Sequence, residues 1–96
     1  MKIEVSDDIY YSQICNKYNL TPLENTVDKK RALIEKNLYK LSVDEAIEML
    51  NRQGRGYYFV KYSDDKTQII DTTQYGTSTV SVSEFREILD NTANIN

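Results

Sequence analysis

Histidine and tryptophan are absent from this chain, and cysteine and proline occur once each. The missing histidine removes the commonest general base and the commonest zinc ligand together. A single thiol, Cys15, can form no internal disulfide and cannot build a structural zinc site, which fits a reducing, cytoplasmic setting. The three glycines form no phosphate-cradling loop: Gly54 and Gly56 follow an expected helix, whereas such loops precede one. Apolar runs extend over only a few residues, so no segment is expected to cross a membrane. The N-terminal MKIEVSDDIYY lacks the apolar stretch of a secretory signal. Asn19-Leu20-Thr21 is formally a glycosylation sequon, but Pro22 follows it and no export signal precedes it, so it is read as irrelevant.

There is also no excess of one charge. Twelve Lys and Arg side chains lie among fifteen Asp and Glu, for a net charge of −3 and no basic block. Such a surface exerts little pull on phosphate, which disfavours nucleic acid as a partner, and it is not acidic enough to resemble a DNA mimic. The balance leans toward a protein partner. A chain of 96 residues, 40% apolar and 28% charged, fits a single globular domain.

Apolar spacing and capping residues give the order of elements. Residues 2–5 (KIEV) read as a short strand. Ser6-Asp7-Asp8 starts a helix that carries Ile9, Tyr10, Ile14 and Tyr18 on one side. Thr21-Pro22-Leu23-Glu24 reads as a second start, with an apolar stripe of Leu23, Val27, Ile34 and Leu38 and an end near Asn37. Ser42 with Glu45 makes a capping box for a third helix bearing Ala46, Ile47, Met49 and Leu50. RGYYFVKY (55–62), TQIIDTT (67–73) and TVSV (79–82) read as strands, with turns at 63–66 and 75–78. VSVSEFREIL (80–89) repeats the helix-start chemistry of LSVDEAIEML (41–50), as convergence on a cap and not as a duplicated unit. The tail from Asp90 is expected to fray. The fold class is therefore α+β: N-terminal helices packed on a three-stranded antiparallel meander, then a C-terminal helix.

RGYYFVKY resembles the K/R-G-F/Y-G/A-F-V-x-F/Y signature of RNA-recognition motifs, with Tyr58 in place of the small residue. That motif requires a βαββαβ order and a second aromatic strand upstream, and this chain offers neither. Alternation divides the strand into Tyr57, Phe59 and Lys61 on one face and Tyr58, Val60 and Tyr62 on the other. One row is expected in the core. Alternation alone does not say which.

Over residues 38–76 the chain also resembles the C-terminal domain of long ribosome-hibernation factors, through Ser42, Glu45, Ala46, Ile47, Gly54, Tyr58, Phe59, Val60, Thr67, Ile69 and Ile70. The resemblance implies a domain that dimerises through its sheet to bring two ribosomes together, with Tyr58, Phe59 and Val60 near the dimer surface. The pattern departs at Tyr39-Lys40-Leu41, where the family has Lys-Pro-Met, and at Tyr75-Gly76-Thr77-Ser78, where it has Tyr-Gly-Leu-Ile. About forty unrelated residues stand where that family has its ribosome-binding domain.

The titratable groups form no recognisable catalytic pattern. Cys15 falls inside the first helix and is read as packing there, although Lys17 is near in sequence. Asp64, Asp65 and Asp71 fail the EF-hand spacing, because Lys66 and Gln68 occupy ligand positions. Asp64-x-Lys66 superficially resembles the acidic-x-Lys element of some nucleases, but it has no second carboxylate cluster and reads as turn chemistry. No enzyme, cofactor or metal is expected. What the sequence does supply is eight tyrosines with arginines beside them, the residue types that dominate binding hot spots. The expected contacts are Arg52, Arg55, Tyr57, Tyr58, Phe59 and Tyr62, with Asp64, Asp65 and Asp71 contributing to a basic partner. The expected function is stoichiometric inhibition of a partner protein, as immunity proteins, antitoxin-like partners or phage and mobile-element antagonists of host defences do. Homodimerisation through strand 57–62 is the alternative, and single-stranded RNA binding through the same aromatics stands third.

Overall fold

The computed structural model describes residues 5–54 and 57–94. Their order is α1 (Asp7–Lys17), α2 (Val27–Glu35), a 3-10 turn (Leu38–Lys40), α3 (Val43–Gly54), β1 (Tyr58–Tyr62), β2 (Gln68–Thr73), β3 (Gly76–Ser81), α4 (Val82–Asp90) and a closing 3-10 turn (Asn91–Asn94). The strands form one antiparallel sheet in the order β1-β2-β3, so the α+β class and the meander both hold.

Local capping fixes where three helices begin. Ser6, Ser42 and Ser81 each accept a hydrogen bond from the amide three residues on, that of Ile9, Glu45 and Glu84 respectively. Helix α2 starts later than Thr21-Pro22-Leu23-Glu24 predicts. Thr26 is its cap, accepting from the Lys29 amide, and Leu23 is left 96% exposed. The later start turns Lys30 and Ile34, one helical turn apart, toward α1. There the Lys30 ammonium donates to Asp8 Oδ1 at 2.8 Å and to Ser12 Oγ at 2.9 Å, which makes its burial tolerable.

Two smaller expectations also change, and a third falls mostly outside the described residues. The second hairpin turns at Gln74-Tyr75, so β3 already begins at Gly76, whose φ of 138° is a conformation glycine adopts without strain. The tail is docked through Asn94: Thr92 accepts from the Tyr39 amide at 3.0 Å and donates to the Leu89 carbonyl at 2.7 Å. Of the strand expected at 2–5, only Val5 lies within the described residues, and it belongs to no strand.

Two apolar clusters share α3. Tyr10, Tyr11, Ile14, Cys15, Ile34, Leu41 and Met49 make the helical one, and Ala46, Val60, Ile69, Phe85 and Leu89 join helices to sheet. Cys15 is packed as expected, and burial pushes its thiol pKa up, away from the reactive thiolate. Arg86 ties α4 back to the central 3-10 turn, donating to the Leu41 carbonyl at 2.6 Å and the Tyr39 carbonyl at 3.1 Å.

The joint between α1 and α3 is Glu45. Its carboxylate completes the capping box by accepting from the Ser42 amide at 2.9 Å. It also accepts from the Tyr18 hydroxyl and from Lys17 Nζ at 2.8 Å, while its backbone carbonyl accepts from the Tyr10 hydroxyl. Burial alone would raise this carboxyl's pKa, but the donors from Lys17, Tyr18 and Ser42 prevail and hold it at about 2, below its ordinary 4.5. The carboxylate's contribution to stability is therefore complete above pH 4.5 and is lost as pH falls toward 2. Glu45→Gln is expected to cost about 1.5–3 kcal/mol at neutral pH, the scale of hydrogen bonds to charged groups. Urea unfolding at a series of pH values should show that gap closing through the same acid window; a constant gap would mean that the charge is not what matters.

Candidate partner-binding surface

The sheet has one dry face. Tyr58, Val60 and Tyr62 of β1 lie with Ile69 and Val80 against α3 and α4, which assigns that aromatic row to the core side. The Tyr58 ring rests on Gly54, where an added Cβ would lie 3.2 Å from ring carbons, and the Tyr62 hydroxyl donates to Asp44 at 2.6 Å. Both tyrosines are half-buried and engaged in packing.

The opposite face carries Phe59 in register with Thr72 and Thr77, and Lys61 in register with Ile70 and Thr79. No helix among the described residues covers it. Phe59 is 58% exposed and Tyr57, just before the strand, 81%. Tyr75 projects from the β2–β3 turn and is also exposed.

The two sheet edges differ. Val60 gives its N–H to Asn51 Oδ1 at 2.6 Å, and its carbonyl accepts from Asn51 Nδ2 at 2.8 Å. The α3 amide thus does at the β1 edge what another strand would do. Antiparallel ladders alternate inward and outward bonding, so the same register turns the N–H and C=O of Thr77 and Thr79 away from β2, off the edge of β3. Nothing among the described residues pairs with them.

The expected contact residues therefore separate. Phe59 stands on the open face, and Tyr57, just before the strand, is exposed. Arg52 is spent within the fold: it donates to the Val5 carbonyl at 3.0 Å, Asp7 Oδ1 at 2.8 Å and Glu48 Oε1 at 3.3 Å, and stacks 4.6 Å from the Tyr10 ring centre. Asp65 organises its own turn, accepting from the Ser63 hydroxyl and from the Thr67 amide and hydroxyl, and those bonds lower its pKa. Asp64 is exposed beside it. Arg55 lies outside the described residues.

Asp71 is on the inner face, between Val60 and Ser78 in register, so it is not grouped with Asp64 and Asp65. Its Oδ1, like Arg52 Nε on α3, is buried with no hydrogen-bond partner among the described residues. It borders a cavity of about 170 Å³ whose other walls are mostly apolar, including Leu50, Val80, Phe85 and Ile88. A second cavity, of about 260 Å³ beneath the Tyr75-Gly76 turn, shares Asp71 and Ser78 with the first. Burial and then the Asp71 charge raise the Tyr58 hydroxyl pKa.

No family model, curated protein or solved structure matches this chain. The site rests on the chain's own geometry.

Asn51 and the isolation of Asp71 were missed in sequence, because each depends on which strand face meets α3. Asn51→Ala is expected to cost about 2–4 kcal/mol, since it strands two half-buried backbone groups, and to accelerate hydrogen exchange at the Val60 amide. Unchanged exchange would mean the clamp is dispensable. Asp71→Val places a β-branched residue where an unpaired carboxylate oxygen is now buried. The denaturant midpoint should rise by the equivalent of about 1–2 kcal/mol, and a fall would show that the carboxylate is satisfied within the fold.

Proposed function

We propose that this chain is a small, non-enzymatic, cytoplasmic protein-binding module that acts by occupying a partner's surface, in the manner of a stoichiometric inhibitor or antagonist. One observation carries the reading: the outer face of the sheet leaves Phe59 exposed, with Tyr57 beside it, in a fold whose other strand face is packed by helices. Aromatic side chains held on a rigid sheet give large contact area at small entropic cost. Immunity-, antitoxin- and anti-defence-type proteins are the classes of antagonist that this reading favours.

Dimerisation through the β1 edge is the weaker reading, because a second strand there would have to displace Asn51 from Val60. RNA stacking on Phe59 would need phosphate contacts that a net charge of −3 opposes.

The deciding experiment is capture from the source cells' lysate with tagged protein, beside a Tyr57→Ser/Phe59→Ser control. Both positions are exposed, so the control is expected to fold, which circular dichroism checks; Tyr58 is unsuitable because it is packed. One protein retained at about equal stoichiometry, and reduced about tenfold or more by the control, supports the reading. Ribosomal proteins in its place would favour the hibernation-like alternative, and recovered RNA whose binding weakens with salt would favour the third. An empty capture with a monomeric protein would overturn it.

A further inference from the structure

The Asp71 cavity and the free edge of β3 adjoin one another. Ser78 and Val80 belong to β3 and also wall the cavity, and Asp71 lies one strand inward at the position paired with Ser78. A strand added to β3 through the outward-turned groups of Thr77 and Thr79 would carry alternate side chains on the inner face. The one beside Ser78 would stand at the mouth of the cavity. Its end would meet the unpartnered Asp71 oxygen, and its stem would lie along Val80, Phe85 and Ile88.

The chemistry of that side chain follows from the walls. Asp71 is half-buried, with one carboxylate oxygen out of contact with water and a mostly apolar wall beside it, and such an oxygen calls for a cation carried on an alkyl stem, which Lys and Arg provide. A second copy of this chain docking through the same edge would not supply it, because β3 (GTSTVS) contains no basic residue. The other edge is already occupied by Asn51.

We propose that the occupant is an extended segment of a different protein, added as a fourth strand beside β3 and delivering a lysine or arginine into the cavity at Asp71. This rests on the protein-binding reading and specifies the partner's chemistry: a strand with a basic residue whose i±2 neighbours are apolar or β-branched.

The test is selection of a phage-displayed library of random ten-residue peptides on the full chain, followed by titration of the selected peptides against wild type, Asp71→Asn and Thr79→Pro. Asp71→Asn keeps the shape and removes the charge. Thr79→Pro removes an edge donor that takes no part in the β2–β3 ladder. Enriched peptides should carry a Lys or Arg flanked as stated and should perturb the amide resonances of Thr77, Ser78 and Thr79. Asp71→Asn should weaken them by about tenfold or more, and Thr79→Pro should weaken them comparably. Replacing the peptide's basic residue with norleucine should cost as much as Asp71→Asn, and little further when the two are combined.

Peptides without a basic preference, peptides insensitive to Asp71→Asn, or a selection that yields none would each overturn the proposal. Peptides mapping to Phe59 would overturn it while leaving the protein-binding reading standing, since that reading is decided separately by lysate capture through Tyr57 and Phe59.

Discussion

At the middle of β1 the sheet is fixed to the helical layer by a side-chain amide. Asn51, on α3, holds the N–H and the carbonyl of Val60 together, so the middle of β1 can sit only where α3 puts it. Once Val60 faces α3, the period of two assigns every other strand residue to a face. Tyr58 and Tyr62 turn inward with it, and Phe59 and Lys61 turn out. Through the pairing, Ile69, Asp71 and Val80 join the inner row, and Thr72, Thr77 and Thr79 the outer one. A one-residue slip would have buried Lys61 and exposed Val60.

That clamp works only because α3 is itself immobilised from both sides. Its Met49 is fully buried in the helical cluster and its Ala46 in the sheet cluster. Its N-terminus is gathered into the network around Glu45, and near its C-terminus Arg52 reaches the Val5 carbonyl and Asp7. The comparison with α4 shows what the network adds. Ser81 caps Glu84 as Ser42 caps Glu45, yet among the described residues Glu84 has no counterpart of Lys17 and Tyr18 to draw it into a joint. The two segments share a local solution for starting a helix, and only one of them has become a junction between elements.

The same distinction separates what could be read in the sequence from what could not. Ser6, Ser42 and Ser81 were legible as caps because each bond closes within three residues. The meander was legible because β-branched and aromatic runs alternate with turn residues. The α2 start was misread because Thr21-Pro22-Leu23-Glu24 satisfies the same local rules as Thr26. What decides between them is a distant partner: starting at Thr26 brings Lys30 to Asp8 and Ser12, 22 and 18 residues away. The aromatic strand was recognised as two rows, but the choice of buried row belongs to Asn51 and the helices. Arg52 has the composition of a hot spot, and only the positions of Asp7, Glu48 and Tyr10 show that it is engaged inside the fold.

A sequence that specifies its fold well leaves few local contradictions, so those that remain carry information. Most polar groups that look exposed in this sequence turn out to be engaged: Lys30, Glu45, Asp65, Arg86 and Thr92 all have partners. The sheet carries several of the exceptions, beside others elsewhere such as the exposed Leu23 and the Arg52 Nε on α3, unpartnered among the described residues. Phe59 is uncovered on its outer face, Thr77 and Thr79 turn backbone groups off the β3 edge, and Asp71 buries an oxygen that nothing among the described residues satisfies. Exposed Phe59 and the unpartnered Asp71 oxygen are unfavourable for the isolated domain, whereas the outward groups of Thr77 and Thr79 are exposed to water. The β3 edge and the Asp71 cavity adjoin one another, whereas Phe59 lies on the other face of the sheet and two strands away on β1, so a strand added beside β3 would meet the first two and not the third. The exposed Phe59 and the β3 edge with its cavity are therefore two separate surfaces, and occupation of either one leaves the other open.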